Sequence, residues 1–175
     1  MKKNNIFIAC DTTNITKIKK IIKETQTDKL NVGYKFGIEF LNSPDGRNFI
    51  SKLRNKIIFG DYKFCDIPNT CMSAISAIKD LKFNYITIHI SSGLEALKAA
   101  KKVSGKTKLI GVTILTSLNN KLLRDIGFKK DIKQLVVKQA KLAKKANLDA
   151  IVCSADEVKF CLLYTSPSPR DIGES

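Results

Sequence analysis

The chain has 175 residues, 43% hydrophobic and 27% charged, a size and balance that suit one globular domain with a real core. Its net charge is +15, but the lysines are spread along the chain and not clustered with aromatics, which argues against a nucleic-acid-binding module. No apolar run is long enough for a membrane span or a secretion signal, so a cytoplasmic protein that meets neither membrane nor nucleic acid is expected.

Short apolar runs alternate with helical stretches. A strand is predicted over residues 6–10, ending in Asp11, and a helix over 15–24 that turns Lys17, Lys19, Lys20 and Lys23 outward. A strand over 32–36 and a helix over 45–53 follow. Next come a strand over 56–63 and a helix over 69–81, with Asn69 or Thr70 as its N-cap. Residues 85–90 read as a strand, 94–103 as a helix, 108–115 as a strand and 118–126 as a helix. A helix over 132–146 carries Leu135, Val136, Gln139, Leu142, Ala143 and Ala146 near a 3.6-residue stripe, and a strand over 150–153 closes the pattern. Repeating strand–helix units with continuous apolar strands predict a parallel sheet covered by helices. Periodicity alone does not separate a doubly wound sheet from a (β/α)8 barrel.

The chemistry concentrates in residues 61–70, Asp-Tyr-Lys-Phe-Cys-Asp-Ile-Pro-Asn-Thr. Strand residues two apart share a face, so Asp61 and Lys63 are expected to project together. Asp66 falls just past the strand end, in the loop before a helix. Charges at a strand's carboxyl end need partners if buried, and an alternating acid–base array there is what a charged catalytic site looks like. The plainer alternatives are a surface salt bridge and, for Asp66, a helix cap worth roughly 1 kcal/mol. Pro68 fits the first turn of a helix, so capping and catalysis are compatible. Asp11, Lys35, Asp61, Lys63, His89 and Thr116 all fall at or near predicted strand ends. The five cysteines lack metal-ligand spacing, and the single histidine, His89, excludes a multi-histidine metal site.

The stretch Asp61-x-Lys63-x-x-Asp66-Ile67-Pro68-Asn69-Thr70 resembles the active-site signature of the orotidine 5'-phosphate decarboxylase family in its bacterial form. Ile6-Phe7-Ile8-Ala9-Cys10-Asp11 is similar to that family's first strand, and Tyr34-Lys35-Phe36-Gly37 to its second-strand lysine motif. Ile88-His89-Ile90-Ser91-Ser92-Gly93, Val112-Thr113-Ile114-Leu115-Thr116-Ser117 and Asp149-Ala150-Ile151-Val152-Cys153-Ser154-Ala155 resemble its fourth, fifth and sixth strands. The motifs keep the family's order from residue 6 to about residue 160.

The resemblance implies a (β/α)8 TIM barrel with functional groups at the strands' carboxyl ends. It implies decarboxylation of orotidine 5'-monophosphate to UMP, a carboxy-lyase step of pyrimidine biosynthesis, with no cofactor. By resemblance Lys63 is the ammonium beside the reacting carbon, and Asp61 sits near the substrate carboxylate. Whether Asp61 repels that carboxylate or orients Lys63 stays open. Lys35 completes the charge network and Asp11 accepts from a ribose hydroxyl. Asp66 and Thr70 are offered across the interface of a homodimer with shared sites. Thr116 and Ser117 have hydroxyls suited to the pyrimidine edge, Ser117 as the preferred base contact, with packing alone as the alternative for Thr116. His89 is read as a structural group hydrogen-bonded within the barrel mouth. One alternative is a magnesium-dependent decarboxylase of the 3-keto-gulonate phosphate type, with Asp11, Asp61 and Asp66 as oxygen donors. Another is a non-catalytic basic binding module, which predicts salt-sensitive nucleic-acid binding.

Six strands are visible where a barrel needs eight. After Phe160, residues 161–175 show no helical or strand period, and residues 161–171 read as the translation of a transposon-type sequencing adaptor. The expectation is therefore an incomplete barrel domain over 1–160 and a non-native tail over 161–175. The resemblance places the substrate phosphate on loops after the seventh and eighth strands, which this sequence lacks. The polypeptide as written is expected to be unstable or inactive.

Overall fold

A computed structural model describes residues 5–165, the last three in backbone only. The strands are β1 (Asn5–Ala9), β2 (Asn31–Gly37), β3 (Ile57–Phe64), β4 (Tyr85–His89), β5 (Lys108–Val112) and β6 (Ala150–Val152). The helices are α1 (Ile15–Glu24), α2 (Ile38–Leu41), α3 (Gly46–Lys52), α4 (Pro68–Ala77), α5 (Leu94–Val103), α6 (Asn120–Asp125), α7 (Ile132–Lys145) and α8 (Val158–Thr165). All six strands are parallel, and each pairs with the next in sequence. A doubly wound sheet reverses its strand order part-way, whereas a (β/α)8 wall does not. The strand order therefore decides what periodicity could not: the sheet is a curled part of a barrel wall.

Each strand has a helix side and an interior side. On the helix side Tyr34, Phe36, Ile58, Ile86, Ile88 and Leu109 are buried against Ile18, Ile50, Ile75, Leu97 and Ala100 of the covering helices. Burying such side chains stabilises by roughly 1.5–3 kcal/mol each before entropy is counted. On the interior side the rings of Phe7, Phe59 and Tyr85 meet edge-on or tilted, with centroids 5.1 to 5.9 Å apart. Gly33 makes room for this cluster, since a Cβ there would stand 2.6 Å from the Phe7 ring. Phe59 is two residues before Asp61, so the aromatic layer forms a floor one step below the charged groups.

Local signals explain the helix starts. Asn14 caps α1 by accepting from Lys17 N–H (3.0 Å), Asn119 caps α6 and Asp131 caps α7. Ser154 and Glu157 form a capping box at the turn before α8. The lysines of α1 are exposed while Ile18 is fully buried, as the amphipathic pattern predicts.

Several expectations need correction. Helix α4 begins at Pro68 with Ile67 as its cap residue, so Asn69 and Thr70 lie inside the first turn. Proline has no N–H to satisfy and its fixed φ suits that position. The predicted helix 69–81 breaks after Ala77 and resumes as a 3₁₀ turn, Lys79–Leu81, stopped by left-handed Lys82 (φ 52°). The fifth strand ends at Val112, because Thr113 turns both its donors onto Val152 O (3.2 and 3.0 Å). The short α2, unseen in the sequence, buries Phe40 and Leu41. Helix α8 reaches Thr165, so residues 161–165 are helical despite lacking a clear period; Cys161 is buried beside Ile114, Leu123, Leu135 and Val136. The rest of the predicted tail, 166–175, lies outside the described residues.

Candidate active site

Three adjacent strands bring an alternating row of charges to the carboxyl end of the sheet. Lys35 on β2 lies with its Nζ 3.6 Å from Asp11 Oδ1 and 3.5 Å from Asp61 Oδ2. Lys63 on β3 places its Nζ 2.7 Å from the same Asp61 oxygen. The row is thus Asp11, Lys35, Asp61, Lys63, four residues that the sequence puts at or near strand ends. Asp61 is its desolvated member, with 13% of its side chain exposed against 68% for Asp11.

Burial alone would push the Asp61 carboxyl up. Hydrogen bonds from Lys63 and Thr87, joined by the charges of Lys63 and Lys35, overcome that and hold it below its ordinary value. The site therefore keeps Asp61 ionised with both oxygens occupied: Oδ2 faces the two ammoniums, and Oδ1 accepts from the Thr87 hydroxyl at 2.9 Å. His89, at the end of β4, is held below its ordinary value by burial and by the Lys63 charge, with Asp61 pulling the other way. That makes it a neutral imidazole at pH 7.

The route by which Asp61 and Lys63 meet differs from simple alternation. The pairing of β3 with β4 jumps from Gly60↔Ile86 to Phe64↔Ile88. Asp61, Tyr62 and Lys63 therefore stand opposite Thr87 alone. Lys63 has φ 52°, a left-handed conformation that costs a non-glycine residue about 1 kcal/mol or more. Bulges of this kind re-aim side chains beside functional sites. Thr87 was not among the predicted site residues. A threonine inside the apolar run Tyr85-Ile86-Thr87-Ile88 was the available signal, since a buried hydroxyl needs partners.

The other predicted residues are not in contact with this row. Residues 65–70 are all exposed, Asp66 and Thr70 among them. The Asp66 carboxylate accepts from the N–H of Ile67 (2.7 Å) and does not cap α4, which corrects the capping alternative. Its carbonyl accepts from the Cys71 thiol (3.3 Å). Thr116 and Ser117 sit exposed in the turn after β5. Thr116 lines a cleft of about 620 Å³ with Asp131, Lys133, Ser154 and Asp156, and none of the four charged residues of the row borders it. Among the described residues no three Asp, Glu, His or Cys side chains converge as a metal site would require. Asp11 and Asp61 do face each other, but the Lys35 ammonium stands between them, where a divalent cation would have to bind.

Residues 4–166 match the model of the orotidine 5'-phosphate decarboxylase / HUMPS family. The chain belongs to that family. It is 40% identical over 160 residues to the orotidine 5'-phosphate decarboxylase of Wolbachia sp. subsp. Brugia malayi, covering 89% of this chain and 70% of that one. It is 45% identical over 130 residues to the Sphingopyxis alaskensis enzyme of the same name, covering 73% of this chain but 58% of the relative. Among solved structures, orotidine 5'-phosphate decarboxylase from Lactobacillus acidophilus superposes with a TM-score of 0.83 at 31% identity, over 93% of this chain and 77% of that one. The Methanocaldococcus jannaschii enzyme, at 23% identity and a TM-score of 0.75, shares the fold. Membership in the orotidine 5'-phosphate decarboxylase family agrees with the barrel order of the strands and with the charged row at their carboxyl ends.

Proposed function

We propose that the row Asp11–Lys35–Asp61–Lys63 is a decarboxylation site for orotidine 5'-monophosphate, giving UMP and carbon dioxide in pyrimidine biosynthesis. One observation carries the reading: two ammoniums converge on a single desolvated carboxylate at the open end of parallel strands. Breaking the bond between C6 and the carboxylate leaves an electron pair on C6 with no adjacent carbonyl to spread it. Only charge that is already oriented can stabilise that carbanion. Lys63 is the proposed electrostatic partner and proton donor; it protonates C6 as carbon dioxide leaves, and solvent restores its own proton. Asp61 is proposed to orient Lys63, a role supported by the way its oxygens are shared between Lys63, Lys35 and Thr87. Asp11 takes a ribose hydroxyl. Thr116 and Ser117 read the pyrimidine edge, Ser117 by direct contact.

The proposal extends to a cytoplasmic homodimer. Asp66 and Thr70 stand exposed beside Ile67, an apolar side chain 66% open to solvent. A second copy of the chain burying Ile67 would carry Asp66 and Thr70 into the neighbouring site. Among the described residues no helix is long and apolar enough to cross a membrane.

The test is consumption of orotidine 5'-monophosphate, followed by its ultraviolet absorbance. It is run on the chain itself and on residues 1–160 joined to the remaining C-terminal part of the Wolbachia relative. Turnover that disappears with Lys63→Ala supports the assignment. A folded, dimeric fusion without turnover would overturn it.

A further inference from the structure

Thr87 is 1% exposed, the most deeply buried polar side chain near the charged row. It stands on β4 where a single residue faces three of β3. Its hydroxyl accepts from the backbone N–H of Lys63 at 2.8 Å and donates to Asp61 Oδ1 at 2.9 Å. One oxygen thus ties the backbone of the left-handed lysine to the carboxylate that its own ammonium grips 2.7 Å away. The ring closed this way runs from Lys63 N through Thr87 and Asp61 back to Lys63 Nζ.

We propose that Thr87 is a positioning residue of the decarboxylation site, its hydroxyl holding the Asp61–Lys63 bulge in the shape that aims the Lys63 ammonium. The role follows from the hydroxyl's two-way chemistry. A donor alone would leave the Lys63 N–H without a partner at a bulge, and an acceptor alone would face Asp61 with like polarity. Threonine also suits the place sterically, because β-branched side chains fit the pleated wall. Asp61 is faced from β2 by the Lys35 ammonium, from β3 by that of Lys63, and from β4 by Thr87 and the imidazole of His89. Of these, Thr87 is the neutral group that fixes the carboxylate's second oxygen. Without it, Asp61 is held by Oδ2 alone and its second oxygen loses its partner, and the strained lysine backbone loses the bond that offsets its strain.

The proposal rests on the decarboxylase reading, and its test keeps the two apart. The full chain and its Thr87→Val and Thr87→Ser variants are labelled with carbon-13 and nitrogen-15. The titration of the Asp61 carboxyl carbon and the hydrogen exchange of the Lys63 amide are then followed. Valine keeps the shape and removes the hydroxyl, so the Asp61 titration should move upward and the Lys63 amide should lose protection. Serine restores both. Placed in the fusion and given substrate, Thr87→Val should lower kcat by on the order of tenfold or more, with KM little changed. A folded Val variant with an unmoved Asp61 titration would overturn the proposal. So would a Lys63 amide that exchanges at the free-peptide rate in the unaltered chain, a measurement that needs no variant to fold. If the folded, dimeric fusion of residues 1–160 with the C-terminal part of the Wolbachia relative consumes no substrate, the decarboxylase reading fails, while titration and exchange still decide whether Thr87 holds the bulge.

Discussion

Lys63 reaches Asp61 at 2.7 Å from a backbone with φ 52°, inside a bulge where β3 spends three residues against one of β4. Ordinary strand geometry would send residues two apart to the same face but keep their side chains side by side. The bulge instead bends the strand and folds the lysine back onto the carboxylate. The ammonium ends at the mouth of the sheet, above the ring cluster of Phe7, Phe59 and Tyr85.

In the fusion that supplies the remaining C-terminal part, Lys63→Ala is expected to lower turnover of orotidine 5'-monophosphate by roughly a hundredfold to a thousandfold or more, the range for deleting a preoriented charge at a reacting centre. Asp61 retains Lys35 and Thr87, so the fold should survive. Initial rates with a thermal melt of the same samples check this. Unchanged rates would remove Lys63 from the mechanism.

Lys35→Met leaves Asp11 and Asp61 facing each other without the ammonium they share. Because Asp11 is largely exposed, solvent screens much of the repulsion, and the cost is about 1–2 kcal/mol. Urea unfolding should show this loss in the single variant, and a smaller loss when Asp61→Asn is present as well, since the two groups are coupled. Strict additivity would mean the pair does not interact.

Acid should destabilise the chain through Asp61 in a defined direction. Its folded carboxyl titrates below the ordinary 3.8, so its contribution is full above that value. As pH falls through 3.8 the unfolded chain takes up the proton first, and stability declines until the folded group is protonated too. His89 acts at higher pH. Its folded imidazole titrates below 6.5, so below that value the unfolded chain protonates first and stability falls as pH drops. It is the sole histidine, and its ring resonances report the folded value directly. Unfolding free energies from pH 2 to 8 should flatten at the acid end in Asp61→Asn and near neutrality in His89→Gln. A His89 ring that titrates at or above 6.5 would refute the second half.

Gly60→Ala tests the support of the bulge. A Cβ at Gly60 would stand 2.9 Å from the Tyr62 ring and 3.0 Å from that of Phe83. Both rings are packed, so relief must come through the strand that carries Asp61 and Lys63. A stability loss of about 1–3 kcal/mol is expected, together with a fall in kcat larger than the change in KM. A neutral substitution would show that the rings yield without moving the strand.

Two inactive variants should complement each other if the sites are shared between subunits. Lys63→Ala and Asp66→Ala chains, each inactive alone, are expected to regain turnover when unfolded together and refolded as a mixture. Each mixed dimer then holds one site with both residues intact. No recovery in a mixture shown to contain mixed dimers would place Asp66 outside the partner's site.

The sequence by itself determined the strand–helix alternation and the strand-end positions of the charged residues, because both are written in short-range order. Helix α1 and helix α5 fall where their apolar spacing places them, and Asp11, Lys35, Asp61 and Lys63 come together as their strand-end positions imply. Short-range order also misled where neighbours in space compete. The start of α4 was set by Pro68 and not by the better capping residues after it, and β5 stopped at Val112 because Thr113 found Val152. Tertiary structure alone decided the strand order, which made the sheet a barrel wall, and the β3 bulge with Thr87 as its tie. Both depend on which backbone lies alongside which. A hydroxyl 24 residues from Lys63 becomes its hydrogen-bond partner only when β4 is laid against β3.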